Sequence, residues 1–153
     1  MLVFLKLGGS LITDKRLENS FRESVAARVA AEVNSALQQD EGLQLLIGHG
    51  SGSFGHVVAK RYQTMQGVHT PEEWRGFAQV ATVAAELNYL MARTLQAAGV
   101  PVWRFQPSAS ALSRDGVLAD MAHAPISHAL SHGLVPLVYG DVALDETRGG
   151  TIV

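Results

Sequence analysis

Four glycines fall within eight positions of the stretch Ile47-Gly48-His49-Gly50-Ser51-Gly52-Ser53-Phe54-Gly55-His56. Glycine lets the main chain turn tightly and lets a ligand come close to bare N–H groups. Two hydroxyls and two imidazoles stand among them. A helix starting here would aim its free N–H groups and its positive dipole end at whatever fills the turn. Anion binding is the chemistry this pattern suggests, and phosphate is the anion expected. A second small-residue turn, Gly8-Gly9-Ser10, follows the apolar run Leu2–Leu7, which only Lys6 interrupts. An isolated lysine in a strand reads equally well as an edge residue that snorkels to water. Directly before two glycines, Lys6 can instead set one positive charge against a phosphate held by backbone N–H groups. A third turn, Gly140-Asp141, follows the run Leu134–Tyr139. Asp141 reads equally as a turn residue capping the next segment.

The neighbours of these turns weigh less. Lys15 sits in a polar loop, where a lysine is ordinarily solvated. His49 and His56 flank the glycine loop, but no carboxylate or third ligand lies near them in sequence, so no metal site is expected. His69, His123, His128 and His132 belong to the surface or to helix ends. Trp74 and Phe77 are expected to pack, with the lining of an apolar substrate pocket as the sharper alternative.

Several elements must position these residues. Leu2–Leu7, Leu43–Ile47, Pro101–Phe105 and Leu134–Tyr139 read as buried strands. Phe21–Gln39 has apolar residues at helical spacing, and Ser20 with Glu23 forms a capping-box pattern. Val57–Tyr62 and Ala124–Ser131 read as short helices. Thr70-Pro71-Glu72-Glu73 opens a longer one that can run to Ala98. Ser113–Gly116 and Gly149-Gly150 look like hairpin turns. Strands alternating with helices imply an α/β fold with a mostly parallel sheet. Ligands gather at the carboxyl ends of such strands, where all three small-residue turns fall.

Composition narrows the classes. The 153 residues fit one domain, and a net charge of -2 gives no reason to expect nucleic acid. Cysteine is absent, which excludes disulfides and thiolate metal sites. No apolar run approaches a membrane span, and a strand from residue 2 leaves no room for a signal peptide, so a cytoplasmic protein is expected. Gly50–Gly55 matches G-x-G-x-x-G, but it follows the second strand, with an earlier glycine turn to account for, which argues against a dinucleotide site. No H-R-D or D-F-G follows for a protein kinase, and no G-K-[ST] for a P-loop.

Three motifs together carry a resemblance: Lys6-Leu7-Gly8-Gly9-Ser10-Leu11-Ile12-Thr13-Asp14-Lys15, Gly50-Ser51-Gly52-Ser53-Phe54-Gly55-His56 and Val138-Tyr139-Gly140-Asp141-Val142. In this order they resemble the amino acid kinase superfamily and, within it, the isopentenyl phosphate kinase branch. The resemblance implies a three-layer sandwich, a parallel sheet flanked by helices, with residues 1–153 as its N-terminal, acceptor-phosphate-binding part. The C-terminal ATP-binding part would lie outside the chain. It implies transfer of the γ-phosphoryl of ATP, with Mg2+ held mainly through the ATP phosphates, to isopentenyl phosphate. Lys6 would contact the transferring group, helped by Gly8 and Gly9, and these three with Ser10 would bind ATP. Lys15 would lie near the nucleotide phosphates, and His56 would hydrogen-bond the acceptor phosphate. Gly50, Ser51, Gly52 and Gly55 would form the acceptor turn, completed by Gly140 and Asp141. Ser51 stands where the family has glycine. A homodimer is expected. The alternatives are a non-catalytic phosphate-binding module and a fosfomycin kinase-like enzyme acting on a phosphonate.

Overall fold

A computed structural model describes residues 1–153 apart from Lys15 and Glu18, and describes His56 through its main chain alone. In chain order the elements are β1 (Leu2–Leu7), α1 (Gly9–Ile12), α2 (Glu23–Gln39), β2 (Gln44–His49), α3 (Gly52–Arg61), α4 (Pro71–Ala97), β3 (Val102–Arg104), β4 (Leu112–Arg114), β5 (Val117–Asp120), α5 (Ala124–Ser131), β6 (Val135–Tyr139), β7 (Val142–Asp145) and β8 (Gly149–Ile152). The main sheet has the order β1-β2-β6-β3, and every pairing in it is parallel. Helices α2 and α4 cover one face. Leu7, Leu45, Ile47, Val135 and Leu137 of the sheet meet Ala26, Ala30 and Val33 of α2 and Leu87, Met91 and Leu95 of α4 there. Helix α5 packs on β2 and β6 from the other side, where Ile126 and Leu130 share a groove with Leu46 and Val138. The result is the expected three-layer α/β arrangement.

Local chemistry explains the element ends. Thr70 and Glu73 cap α4 reciprocally: the Glu73 N–H donates to Thr70 Oγ1 at 3.3 Å, and the Thr70 N–H donates to Glu73 Oε2 at 2.8 Å. Gly76 lies within this helix, where the Tyr62 ring occupies the place its Cβ would take, which seats the end of α3 against α4. Asp115 and Gly116 both have positive φ, 51° and 78°, as a two-residue turn between β4 and β5 requires.

Five expectations need correction. Gly149 and Gly150 are the first residues of β8, and the turn before it falls at residues 146–148. Pro101–Phe105 contributes only Val102–Arg104, an edge strand that pairs with β6 alone and leaves Trp103 and Arg104 exposed. Leu2–Leu7 is a strand, but an edge strand and not a buried one. It pairs only with β2, and Leu2, Phe4 and Lys6 point to the sheet face that α2 and α4 do not cover, leaving Phe4 71 % exposed. Ser20 does not cap α2, which starts at Glu23 after Arg22. The Ser20 N–H is instead committed to Ser53 Oγ at 3.2 Å. The third helix starts inside the glycine loop, at Gly52 and not at Val57.

A second, mixed sheet of order β5-β4-β7-β8 packs beside α4. One buried carboxylate ties its two hairpins together. Asp145 accepts from the N–H groups of Asp115 and Gly116 in one turn, and of Thr147 and Arg148 in the other, at 2.7–3.2 Å. Burial opposes its ionisation, but these four donors prevail and hold its pKa down to about 2.

Candidate phosphate site

Strands β1, β2 and β6 end side by side. Lys6, Gly48 and Val138 form one row across them, and Leu7, His49 and Tyr139 form the next. The three small-residue turns therefore emerge from neighbouring strands at one edge of the sheet. Two clefts open there and share Gly50 and Ser51. One is lined by Gly9, Ser10, Gly52 and Ser53, the other by Lys6, Gly48, Tyr139 and Gly140. A groove between α2 and α4, lined by Phe21, Leu90 and Arg93, shares no residue with them.

The turns are fitted to each other through their backbones. A Cβ on Gly9 would lie 2.7 Å from both Cα and N of Gly52. Gly52 has φ +52°, and a Cβ there would run into Thr13. Glycine is needed at both places, at Gly9 for close approach and at Gly52 also for the left-handed backbone. Thr13, fully buried, clamps the pair. Its Oγ1 donates to the Gly9 carbonyl at 2.7 Å and accepts from the Ser53 N–H at 3.0 Å. Ser51 fits because its side chain lies over Gly55. A Cβ at Gly55 would be 2.7 Å from the Ser51 Cβ.

This geometry leaves donors open. Gly52 is the first residue of α3, so its N–H has no intrahelical partner. Among the described residues no acceptor is found for the N–H groups of Gly9, Ser51 and Gly52. Lys6 is exposed at the cleft, and among the described residues no carboxylate pairs with it. An unneutralised ammonium, free N–H groups and a helix N-terminus together make an anion site. Among the described residues no group of three or more histidine, aspartate or glutamate side chains is placed to hold a metal ion.

His49 is buried and stacks on Tyr139, with ring centroids 5.8 Å apart and planes 15° from parallel. Burial lowers its pKa, and its bond to the Gly50 carbonyl offsets part of that. Burial pushes the Tyr139 phenol up, and the Asp141 carboxylate adds to the effect. Asp141 faces the main chain and not the cleft. Its oxygens accept from the N–H groups of Ser108 at 3.1 Å and Val142 at 2.8 Å, so its carboxylate holds the corner after β6. Gly140 does line the cleft beside Ser51. His56 lies in the first turns of α3, but its side chain is outside the described residues, as is Lys15 altogether. Trp74 and Phe77 meet edge-to-face at 5.3 Å and pack on Gly149 and Gly150.

Three polar residues next to these turns escaped the sequence reading: Thr13, Asn88, whose Nδ2 lies 3.1 Å from His49 Nε2, and Arg104, whose Nε donates to Asn88 Oδ1 at 2.8 Å. Thr13 stood inside a motif but in what read as a loop. Asn88 was detectable as a polar residue among the apolar positions Ala84, Leu87, Met91 and Leu95 of α4. Arg104 carried no signal.

The fold and the site define an α/β protein with a parallel main sheet and glycine turns that gather at its strand ends. Residues 1–152 match the amino acid kinase family, and the chain belongs to that family. It is 32 % identical over 160 residues to the isopentenyl phosphate kinase of Methanocaldococcus jannaschii, a match covering all of this chain and 60 % of that protein. It is 36 % identical over 152 residues to the isopentenyl phosphate kinase of Methanothermobacter thermautotrophicus, covering 96 % and 56 %. A crystal structure of an isopentenyl phosphate kinase superposes with a TM-score of 0.91 at 33 % identity, over all of this chain and 63 % of that one. The chain thus spans about 60 % of the length of such relatives.

Proposed function

We propose that these residues form the acceptor side of an ATP-dependent kinase that phosphorylates isopentenyl phosphate, giving isopentenyl diphosphate. The observation that carries this reading is the meeting of Lys6, Gly9 and the open N–H groups of Ser51 and Gly52 at two clefts that share one turn. Phosphoryl transfer asks for two phosphates in line and their charge neutralised, with little covalent help. Adjoining clefts on either side of Gly50-Ser51 suit such a pair. A phosphate acceptor is already ionised and needs no general base, and among the described residues lining these clefts there is no aspartate or glutamate side chain to act as one. ATP would supply the phosphoryl group. Mg2+ would travel on its phosphates, since the described residues offer no carboxylate cluster for it. Roles for Lys15 at the nucleotide phosphates and His56 at the acceptor phosphate rest on the family resemblance.

Calorimetry with isopentenyl phosphate, a phosphonate such as fosfomycin, and ATP tests the reading, together with ATP-dependent turnover of isopentenyl phosphate. Saturable binding of isopentenyl phosphate, weakened by Lys6→Met, is the expected result. Tighter binding of the phosphonate would reassign the acceptor. A protein that binds no phosphorylated or phosphonate ligand would end the proposal.

A further inference from the structure

We infer that Arg104 is a positioning residue for the acceptor-phosphate turn, acting through Asn88 and His49 on the Gly50 carbonyl. The inference rests on the function proposed above. The contacts form one chain. Arg104 Nε donates to Asn88 Oδ1 at 2.8 Å, Asn88 Nδ2 lies 3.1 Å from His49 Nε2, and His49 Nδ1 lies 3.0 Å from the Gly50 carbonyl oxygen. Asn88 is fully buried on the face of α4 that otherwise packs the core. A buried amide is expensive unless its hydrogen bonds are met, and here both ends of the amide are used.

The proton assignments follow from which groups can donate. A guanidinium has donors and no acceptor. It therefore takes the Asn88 carbonyl oxygen and turns the amide NH2 toward His49. His49 Nε2 must then accept, so the neutral ring carries its proton on Nδ1. That proton faces a carbonyl oxygen, which can only accept. Each link fixes the next, and burial keeps the ring neutral so that one tautomer serves the whole chain. The Arg104 guanidinium is itself steadied over the Tyr89 ring, 5.4 Å from its centroid.

The end of the relay touches the site by stereochemistry. The Gly50–Ser51 peptide is planar and trans, so the Gly50 C=O and the Ser51 N–H point in opposite directions. Drawing the carbonyl toward His49 turns the Ser51 N–H the other way. That N–H has no partner among the described residues, and Ser51 lines both clefts. Arg104 thus sets the aim of a phosphate-binding donor from the far end of β3. It is exposed there, so its replacement spares the core.

The test combines ring spectroscopy with binding. Long-range 1H–15N correlation of the His49 imidazole, without ligand, should show a protonated Nδ1 and a bare Nε2 in the wild type. Arg104→Met should free the Asn88 amide to flip and mix the tautomers. Dissociation constants for inorganic phosphate and isopentenyl phosphate should rise about 3- to 10-fold, the range of one neutral hydrogen bond. Arg104→Lys keeps a pure donor and should keep both readouts. Asn88→Leu retains the Arg104 charge and should weaken binding as much as Arg104→Met does. The double variant should add nothing, because both break one chain. Arg104→Met with the wild-type tautomer, or with wild-type affinity, overturns the relay and leaves the site standing. Affinity losses that add in the double variant overturn it too, as they would mark a direct charge effect. A wild-type chain that binds neither ligand removes the acceptor site itself, whatever the ring shows.

Discussion

Gly9→Ala tests the interlocked glycine turns most directly. The new Cβ would lie 2.7 Å from Cα and N of Gly52. Non-bonded carbon atoms rest about 3.5–4.0 Å apart, so the turns must separate by about 0.8–1.3 Å. No side chain can swing away, because both obstructing atoms are main chain. The Thr13 clamp resists the movement from both sides. Overpacking of this kind costs about 1–3 kcal/mol, or about 2–12 °C in Tm for a domain near this size. Binding should suffer as well. Hydrogen bonds tolerate little stretching beyond about 3.2 Å, and a donor moved by an ångström no longer reaches its phosphate oxygen. Losing one bond to a charged group is worth about 1.5–3 kcal/mol, or about 10- to 150-fold in affinity for isopentenyl phosphate.

Gly8→Ala is the control for stability within the same motif. Its Cβ would meet nothing within 4 Å, and its φ of −60° and ψ of 136° suit alanine. Its Tm should stay at the wild-type value, read by differential scanning calorimetry alongside Gly9→Ala. A Gly9→Ala protein as stable as the wild type, or a Gly8→Ala protein as damaged as Gly9→Ala, would refute the claim that the turns are packed backbone against backbone.

Other outcomes follow from the same contacts. Thr13→Val keeps the shape but leaves the Ser53 N–H and Gly9 carbonyl without their partner; chemical denaturation should show a loss of about 1–3 kcal/mol. Gly55→Ala would press on Ser51, so it should cost about 1–3 kcal/mol alone and much less when combined with Ser51→Gly, a non-additivity that a double-mutant cycle would expose. His49 has a lowered pKa in the fold, so below an ordinary histidine pKa of about 6.5 the unfolded chain binds the proton first. Its contribution is complete above that pH and shrinks as pH falls toward the lowered folded value, by at most about 1.4 kcal/mol per pH unit. Denaturation at pH 7 and 5.5 should show this slope, and His49→Gln should flatten it.

The parts of the fold legible in the sequence are those written in single segments. Apolar runs marked the strands of the main sheet, Thr70-Pro71-Glu72-Glu73 marked the start of α4, and small residues after strands marked the strand-end turns. The errors came where a segment's partner decides its state. Leu2–Leu7 looks buried because leucine, valine and phenylalanine occupy both its faces, yet only one face has a helix over it. Ser20 looks like a cap, but Ser53, 33 positions away, takes its N–H. The candidate site divides in the same way. Its ligand-facing residues repeat a local grammar of glycine, serine and lysine. The residues that hold them, Thr13, Asn88 and Arg104, obey no local pattern, because a hydrogen bond across 39 or 40 positions is visible only once the sheet has brought its ends together. Ser51 shows where the two kinds of information meet. In sequence it is a departure from the glycine that the family resemblance implies there. In three dimensions it is compensated by Gly55, one turn further along α3. The glycine requirement therefore belongs to pairs of positions across the site, Gly9 with Gly52 and Ser51 with Gly55, and a motif read one residue at a time misstates what each position tolerates.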